Sequence, residues 1–244
     1  MSCVIEMKNI SFSVQGRALI RDVSCQFGEG ITTALIGPSG GGKSTVLKLA
    51  AGLFPPSTGE VLFRGRDIVQ MSRAENLAFR KEGAVVFQDS ALWANQTLFQ
   101  TLELPLLVHF PKMTKKERGK RIESVVADVG YKKDLGVRPA QLSTGEQKLL
   151  GFARAMMCHP KLLYLDEWTE SLDESAAQRL IGLVRNYRSG GVSIILISHD
   201  IRIIRDLADI VIVVTGGRIS LRLTREEINS DSGLSGLIER GMAS

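Results

Sequence analysis

The sequence predicts an α/β protein: a mostly parallel sheet flanked by helices, with antiparallel strands on the N-terminal side and an α-helical subdomain inserted into the chain. Three observations carry this. A β-branched, apolar run at residues 31–36 leads through a glycine cluster into helix formers at 45–51. Strand-sized apolar segments alternate with helical patterns from Lys161 onward. Between the two, residues 92–158 read as helical.

With 244 residues, 44% of them apolar, the chain can bury the core of one large α/β domain and a small insert. No apolar run approaches the roughly 18 residues of a membrane span. The first residues carry Glu6 and Lys8 and lack a signal-peptide core, so a soluble, cytoplasmic protein is expected. Cys3, Cys25 and Cys158 are widely spaced and odd in number, which predicts free thiols and no metal site. A net charge of +5 is a mild excess, compatible with an anionic membrane surface, with nucleic acid or with no selected partner; of these, nucleic acid is not an expected partner.

In chain order, residues 4–7 and 10–14 alternate as strands, and the turn 28–30 leads into the buried strand 31–36. Gly52 ends the first helix. Residues 55–65, PPSTGEVLFRG, read as loop, short strand and turn. Strand 84–88 ends on the amide of Gln88, and helices follow at 98–108, 115–130 and 146–158. The pattern then returns to strand 162–165, helix 174–187, strand 192–198, helix 201–207 and strand 210–214. This organises the chain as a core of 1–89 and 159–216, a helical insert of 90–158 and a polar C-terminal tail of 217–244.

The glycine cluster GPSGGGKS, residues 37–44, fits G-x-x-x-x-G-K-[ST] at every position, in the strand-to-helix context that a phosphate loop requires. Backbone N–H groups of Gly37, Pro38–Ser39 and Gly40, Gly41 and Gly42 (Pro38 itself lacks the donor) would wrap a triphosphate against the positive end of the helix that Thr45 enters. Lys43 would reach the β- and γ-phosphates, and Ser44 would give its hydroxyl to Mg²⁺. LLYLDE, residues 162–167, ends an apolar strand on two carboxylates, where a parallel sheet opens onto its ligand crevice. Asp166 suits Mg²⁺, and Glu167 can polarise a water. In LSTGEQ, residues 142–147, Ser143 can cap a helix whose N-terminus is itself an anion site.

The phosphate loop, Gln88 after its strand, LSTGE, LLYLDE, ESLD at 170–173 and SHD with His199 occur in the order and approximate spacing of the ATP-binding-cassette (ABC) ATPases, and the sequence resembles that family from about residue 4 to 215. The resemblance implies a RecA-like phosphate-loop NTPase core, ATP and Mg²⁺ as cofactors, and hydrolysis coupled to transport. It implies two copies packed head to tail around two ATPs, with Ser143 and Gly145 completing the γ-phosphate cage of the partner. It also makes Gln88 a sensor of Mg²⁺ and the attacking water, puts His199 on the γ-phosphate and Asp173 at the dimer interface. Val14 aligns with the residue that stacks on adenine; Phe12, two residues earlier on the same strand face, is a substitute. Three departures stand out: Thr144 for a glycine, Glu146 for a glutamine and Trp168 for a proline. Glu146 is expected to bring negative charge near ATP.

The resemblance further implies an integral membrane permease docked on the insert, which puts the chain peripherally on the cytoplasmic face of the inner or plasma membrane. Residues 88–107, QDSALWANQTLFQTLELPLL, carry more apolar side chains than a solvated surface requires. Trp93 is the expected docking anchor; Leu98 and Phe99 stand open between docking surface and insert core. FQDSALW and MSRAENLAFRK look like the ATPases of Mla-type (mammalian-cell-entry-associated) phospholipid transporters, and LELPLLV is similar to lipoprotein-release ATPases. A phospholipid or other lipid-linked substrate is therefore expected. The rivals are a non-transport ABC ATPase, for which coiled-coil insertions or a second cassette are missing, and a phosphate-loop kinase, which has no use for LSTGE or SHD. KMTKKERGKR, residues 112–121, reads as a solvated helix face or a contact for anionic headgroups.

Overall fold

Alternating apolar residues draw residues 3–28 into one long hairpin in the structure, a computed structural model that describes residues 2–229. Strands β1 (Cys3–Val14) and β2 (Arg17–Gly28) pair antiparallel across Gln15 and Gly16, which both take positive φ, 49° and 79°. The two short strands expected within residues 4–14 are one strand with a register shift near Asn9, whose φ is 50°. Strand β3 (Thr32–Ile36) then enters a second sheet, while β4 (Thr58–Phe63) and β5 (Arg66–Asp67) return to the first. The first sheet has the order β2-β1-β4-β5.

The second sheet is completed by β6 (Gly83–Val86), β7 (Leu162–Asp166), β8 (Ser193–Ile197), β9 (Ile210–Thr215) and β10 (Arg218–Thr224), in the order β10-β9-β3-β8-β7-β6. All its pairings are parallel except β9 with β10. Residues 218–224, expected as tail, therefore extend the sheet, followed by the short helix α8 (Arg225–Asn229). The rest of the expected tail, residues 230–244, lies outside the described residues.

Period-2 alternation gives the sheet two cores. Leu163 and Leu165 of β7 and Ile194 and Leu196 of β8 pack toward the insert. Leu162, Tyr164, Ile195 and Ile197 pack toward the first sheet and the helix α1 (Lys43–Ala50). Helix α2 (Arg73–Glu82) was not anticipated; its apolar face is little more than Phe79, and Arg80 fastens it to the carbonyls of Ala51 and Gly52.

The insert consists of α3 (Leu98–His109), α4 (Lys115–Val129) and α5 (Thr144–Met156). Each opens with a reciprocal capping box: Thr97 with Gln100, Thr114 with Glu117, Ser143 with Glu146. Leu98 is fully buried and Phe99 packs on the same core, so both are insert core. The basic run is only partly solvated. Arg118 pairs with Glu103 at 2.7 Å, and Arg121 donates to the carbonyls of Met156 and Met157, tying α4 to its neighbours. Helices α6 (Glu174–Ser189) and α7 (Ile201–Leu207) cover the remaining sheet. Among the described residues, no helix is long and apolar enough to cross a membrane.

Candidate functional site: a nucleotide cradle at the strand ends

The loop after β3 can be built only with glycine. Gly37 has φ 138°, and a Cβ there would lie 2.1 Å from the carbonyl oxygen of Val214. Gly40 has φ 73° with open space where a Cβ would be, so the backbone itself faces the crevice. Helix α1 begins at Gly42 with no side-chain cap and no acidic residue in its first turn, leaving its N–H groups and positive end for an anion. Lys43 is buried along the loop, its Nζ 2.9 Å from the carbonyls of both Gly37 and Pro38. Burial pushes its pKa down, opposed by the charges of Glu167 and Asp166.

Ser44 Oγ donates to Asp166 Oδ1 at 3.0 Å. Burial raises the Asp166 pKa, countered by Ser44 and then by Lys48, Lys43 and Lys148. One carboxylate and one hydroxyl form an all-oxygen donor set that fits Mg²⁺, an ion bound largely through its substrate's phosphates.

Glu167, the next residue, is the centre of a second cluster. Its Oε1 is 3.0 Å from His199 Nε2, and its Oε2 accepts from Gln88 Nε2 at 2.8 Å. Gln88 also donates to Glu170 Oε2 at 3.1 Å, which holds that carboxyl below its usual range. The sheet order explains the meeting. Gln88, Glu167 and His199 follow β6, β7 and β8, which are adjacent, parallel and end on the same edge. With Ser39, Gly40, Gly42, Lys43, Ser44 and Thr45 these residues line one cavity of about 590 Å³. Its remaining wall comes from Glu170 and from Arg17 and Leu19 of β2, the last two missed by the sequence reading because it named no strand there.

Other expected site residues lie apart. Ser143 and Gly145, at the start of α5, do not line this cavity. Glu146 does not project freely: its carboxylate caps Ser143 N–H at 2.9 Å and meets Lys133 Nζ at 2.6 Å. The Lys133 contact and the Ser143 backbone bond hold its pKa down to about 2. Asp173 accepts from the Ala176 N–H at 2.8 Å and caps α6. Val14 is exposed before the hairpin turn, paired with Arg17 and outside the cavity wall. Phe12 stacks on Phe54, with centroids 5.5 Å apart, so its ring already has a partner. Trp168 is fully buried in the insert-side core.

A glycine cradle opening a helix, an oxygen pair suited to Mg²⁺ and a carboxylate held between a glutamine and a histidine define an ATP-binding cassette, a nucleotide-hydrolysing domain that works with ATP and Mg²⁺. The chain belongs to the ABC transporter family, whose model matches residues 20–170. It is similar to the methionine import ATP-binding protein MetN of Mannheimia succiniciproducens, 32% identical over 233 residues, which are 93% of this chain and 67% of that one. To MetN of Cereibacter sphaeroides it is 36% identical over 213 residues, 86% of this chain and 60% of the relative. MetN of Brucella abortus, at 34% identity, is covered to 58%, so the chain spans little more than half the length of some relatives. Among solved structures it resembles the ATP-binding cassette MJ0796, described as dimeric in a post-hydrolysis state bound to ADP and phosphate. The TM-score is 0.84 at 25% identity, covering 91% of this chain and 98% of that one.

Proposed function

We propose that this chain is the ATP-hydrolysing subunit of an ABC transporter and works as a head-to-tail pair with a membrane permease. The carrying observation is Glu167 held between His199 and Gln88, beside the Ser44–Asp166 pair. The loop amides and Lys43 bind and orient the phosphates. Ser44, Asp166 and Gln88 would hold Mg²⁺, which when bound neutralises charge on the β- and γ-oxygens. Glu167 orients the attacking water and takes its proton. His199 and Gln88 fix the two oxygens of that carboxylate, and His199 lies close enough to the cavity to contact the γ-phosphate. Ser143 and Gly145 lie outside their own cavity at a helix N-terminus, which suits them to a second copy's ATP. The dimeric description of MJ0796 supports that arrangement.

A groove of about 600 Å³ on the insert, lined by Trp93, Gln100, Leu104 and Leu107, is the docking place proposed for the permease. Trp93 is 43% exposed and sits over Arg154, 5.6 Å from the ring centroid. Trp93→Ala is expected to leave basal ATPase and the melting temperature of the free subunit nearly unchanged. Assembly should weaken by about 2 kcal/mol, read as lost pull-down by the permease. A fall in melting temperature with assembly intact would return Trp93 to the insert core.

The names of the relatives support a transporter that imports an amino acid such as methionine. A second reading, a phospholipid or lipid-linked substrate, is favoured by FQDSALW and LELPLLV. Those strings supply Trp93, Leu104 and Leu107 to the groove proposed above as the docking place of the permease. Copurifying the permease and reconstituting the pair decides between them: the proposal expects ATPase stimulation by the amino-acid ligand, and stimulation by phospholipid alone overturns the import reading. The pair would sit peripherally at the cytoplasmic face of the membrane.

A further inference from the structure

Helix α5 reaches the catalytic loop of its own chain through Lys148, a residue outside every motif used above. Lys148 lies one turn beyond Gly145 and is only 5% exposed. Its Nζ donates to the carbonyl oxygen of Glu167 at 2.9 Å. Buried lysines are rare unless partnered, and this one ends on a backbone oxygen although Glu170, Glu167, Asp166 and Asp89 all act on its charge. The carbonyl it holds belongs to a residue with φ 46°, a left-handed conformation that disfavours a side chain. Glu167 is thus fixed at four atoms. Its N–H donates to Ile197 O at 3.2 Å, its Oε1 meets His199, its Oε2 meets Gln88, and its carbonyl accepts from Lys148 and, at a longer 3.3 Å, from the Glu170 N–H. Ile197, His199, Gln88 and Glu170 belong to the core; Lys148 alone of these partners comes from the insert. Helix α5 is also seated hard against the loop after Gln88: a Cβ on Gly151 would fall 2.9 Å from Ser90 O.

We propose that Lys148 is a positioning residue that sets the Glu167 peptide, and with it the angle of the catalytic carboxylate. Through this bond, the helix that offers Ser143 to the partner's ATP also holds the base that serves its own. The proposal rests on the reading of Glu167 as the base, and the test separates the two.

Lys148→Met keeps the length and apolar stem and removes the donor. Steady-state ATPase should show kcat lowered by about 10- to 100-fold, as expected for a slightly misplaced catalytic group, with KM for ATP within about twofold of wild type. The melting temperature should not fall, because a buried ammonium is replaced by a thioether of similar shape. Lys148→Arg, which retains a donor, should recover part of kcat. Wild-type kcat in Lys148→Met overturns the proposal, as does a loss of kcat accompanied by a matching rise in KM and a lower melting temperature. Glu167→Gln is measured alongside. Turnover surviving in that variant overturns the base assignment itself; turnover lost there but normal in Lys148→Met overturns only the role of Lys148.

Discussion

Glu167→Gln is expected to slow ATP turnover by about 10²- to 10⁴-fold while ATP binding persists. The substitution keeps the side-chain shape and leaves Lys43, Ser44 and the loop amides intact, so the phosphate contacts survive. It removes the one property the arrangement serves, a carboxylate oxygen able to accept a proton from water. The two groups that hold Glu167 explain why a neighbour should not compensate. His199 is 3.0 Å from Oε1 and Gln88 is 2.8 Å from Oε2, so both orient the carboxylate of Glu167 and neither replaces it. Glu170 lines the same cavity and accepts from the same Gln88 Nε2, at 3.1 Å, but it lies beyond the strand end that carries Glu167. With hydrolysis stalled, the variant should accumulate as an ATP-dependent dimer visible by size-exclusion chromatography. Wild-type turnover in Glu167→Gln would put the base elsewhere.

Lys43→Ala should abolish ATP binding at working concentrations. Charge-assisted hydrogen bonds are worth about 1.5–3 kcal/mol each, so losing two to the β- and γ-phosphates raises Kd by roughly 10²- to 10⁴-fold. The position of Lys43 supports this, since its ammonium is held within the phosphate loop, 2.9 Å from the carbonyls of Gly37 and Pro38. A ligand that binds only the native state raises its melting temperature, so the shift given by Mg²⁺-ATP to the wild type should vanish in the variant. The unliganded melting temperature checks that the loop still folds. An unchanged ATP affinity would refute the phosphate-loop assignment.

How much of this was legible in the sequence depended on how local the geometry is. The cradle from Gly37 to Ser44 is fixed within eight consecutive residues, so strand, loop and helix could be read together. Asp166 and Glu167 were legible because a five-residue apolar strand ends on them. The meeting of Gln88 and His199 on Glu167 spans sequence separations of 79 and 32 residues; the family resemblance implied roles for both at the ATP but not this contact. In the structure the strand order alone suffices to bring them together. Arg17 and Leu19 were missed because they arrive from a different sheet. Lys148 was missed because a lysine in a helix reads as solvated, and burial is not written in its residue type. Helix α2 was hidden by its polar composition, although Ser72 and Glu75 spell a capping box. Strand β10 reads as tail in the sequence because an edge strand alternates exposed and half-buried residues without a continuous apolar run. The capping contact of Glu146 with Ser143 and its pairing with Lys133 were not legible, because Lys133 lies thirteen residues away in a loop.

The central claim is that each working site combines Lys43 of one copy with Ser143 of another, and mixed dimers test it most directly. Two differently tagged copies are copurified, one carrying Lys43→Ala and the other Ser143→Arg, and their ATPase is compared with dimers that carry both changes on one copy beside a wild-type partner. In a head-to-tail pair the first arrangement places both lesions in the same site and leaves the other intact, so turnover should persist. The second damages both sites, so turnover should be lost. The reverse order, activity with both changes on one copy and none when they are split, would show that Ser143 serves the ATP of its own chain and would contradict the account.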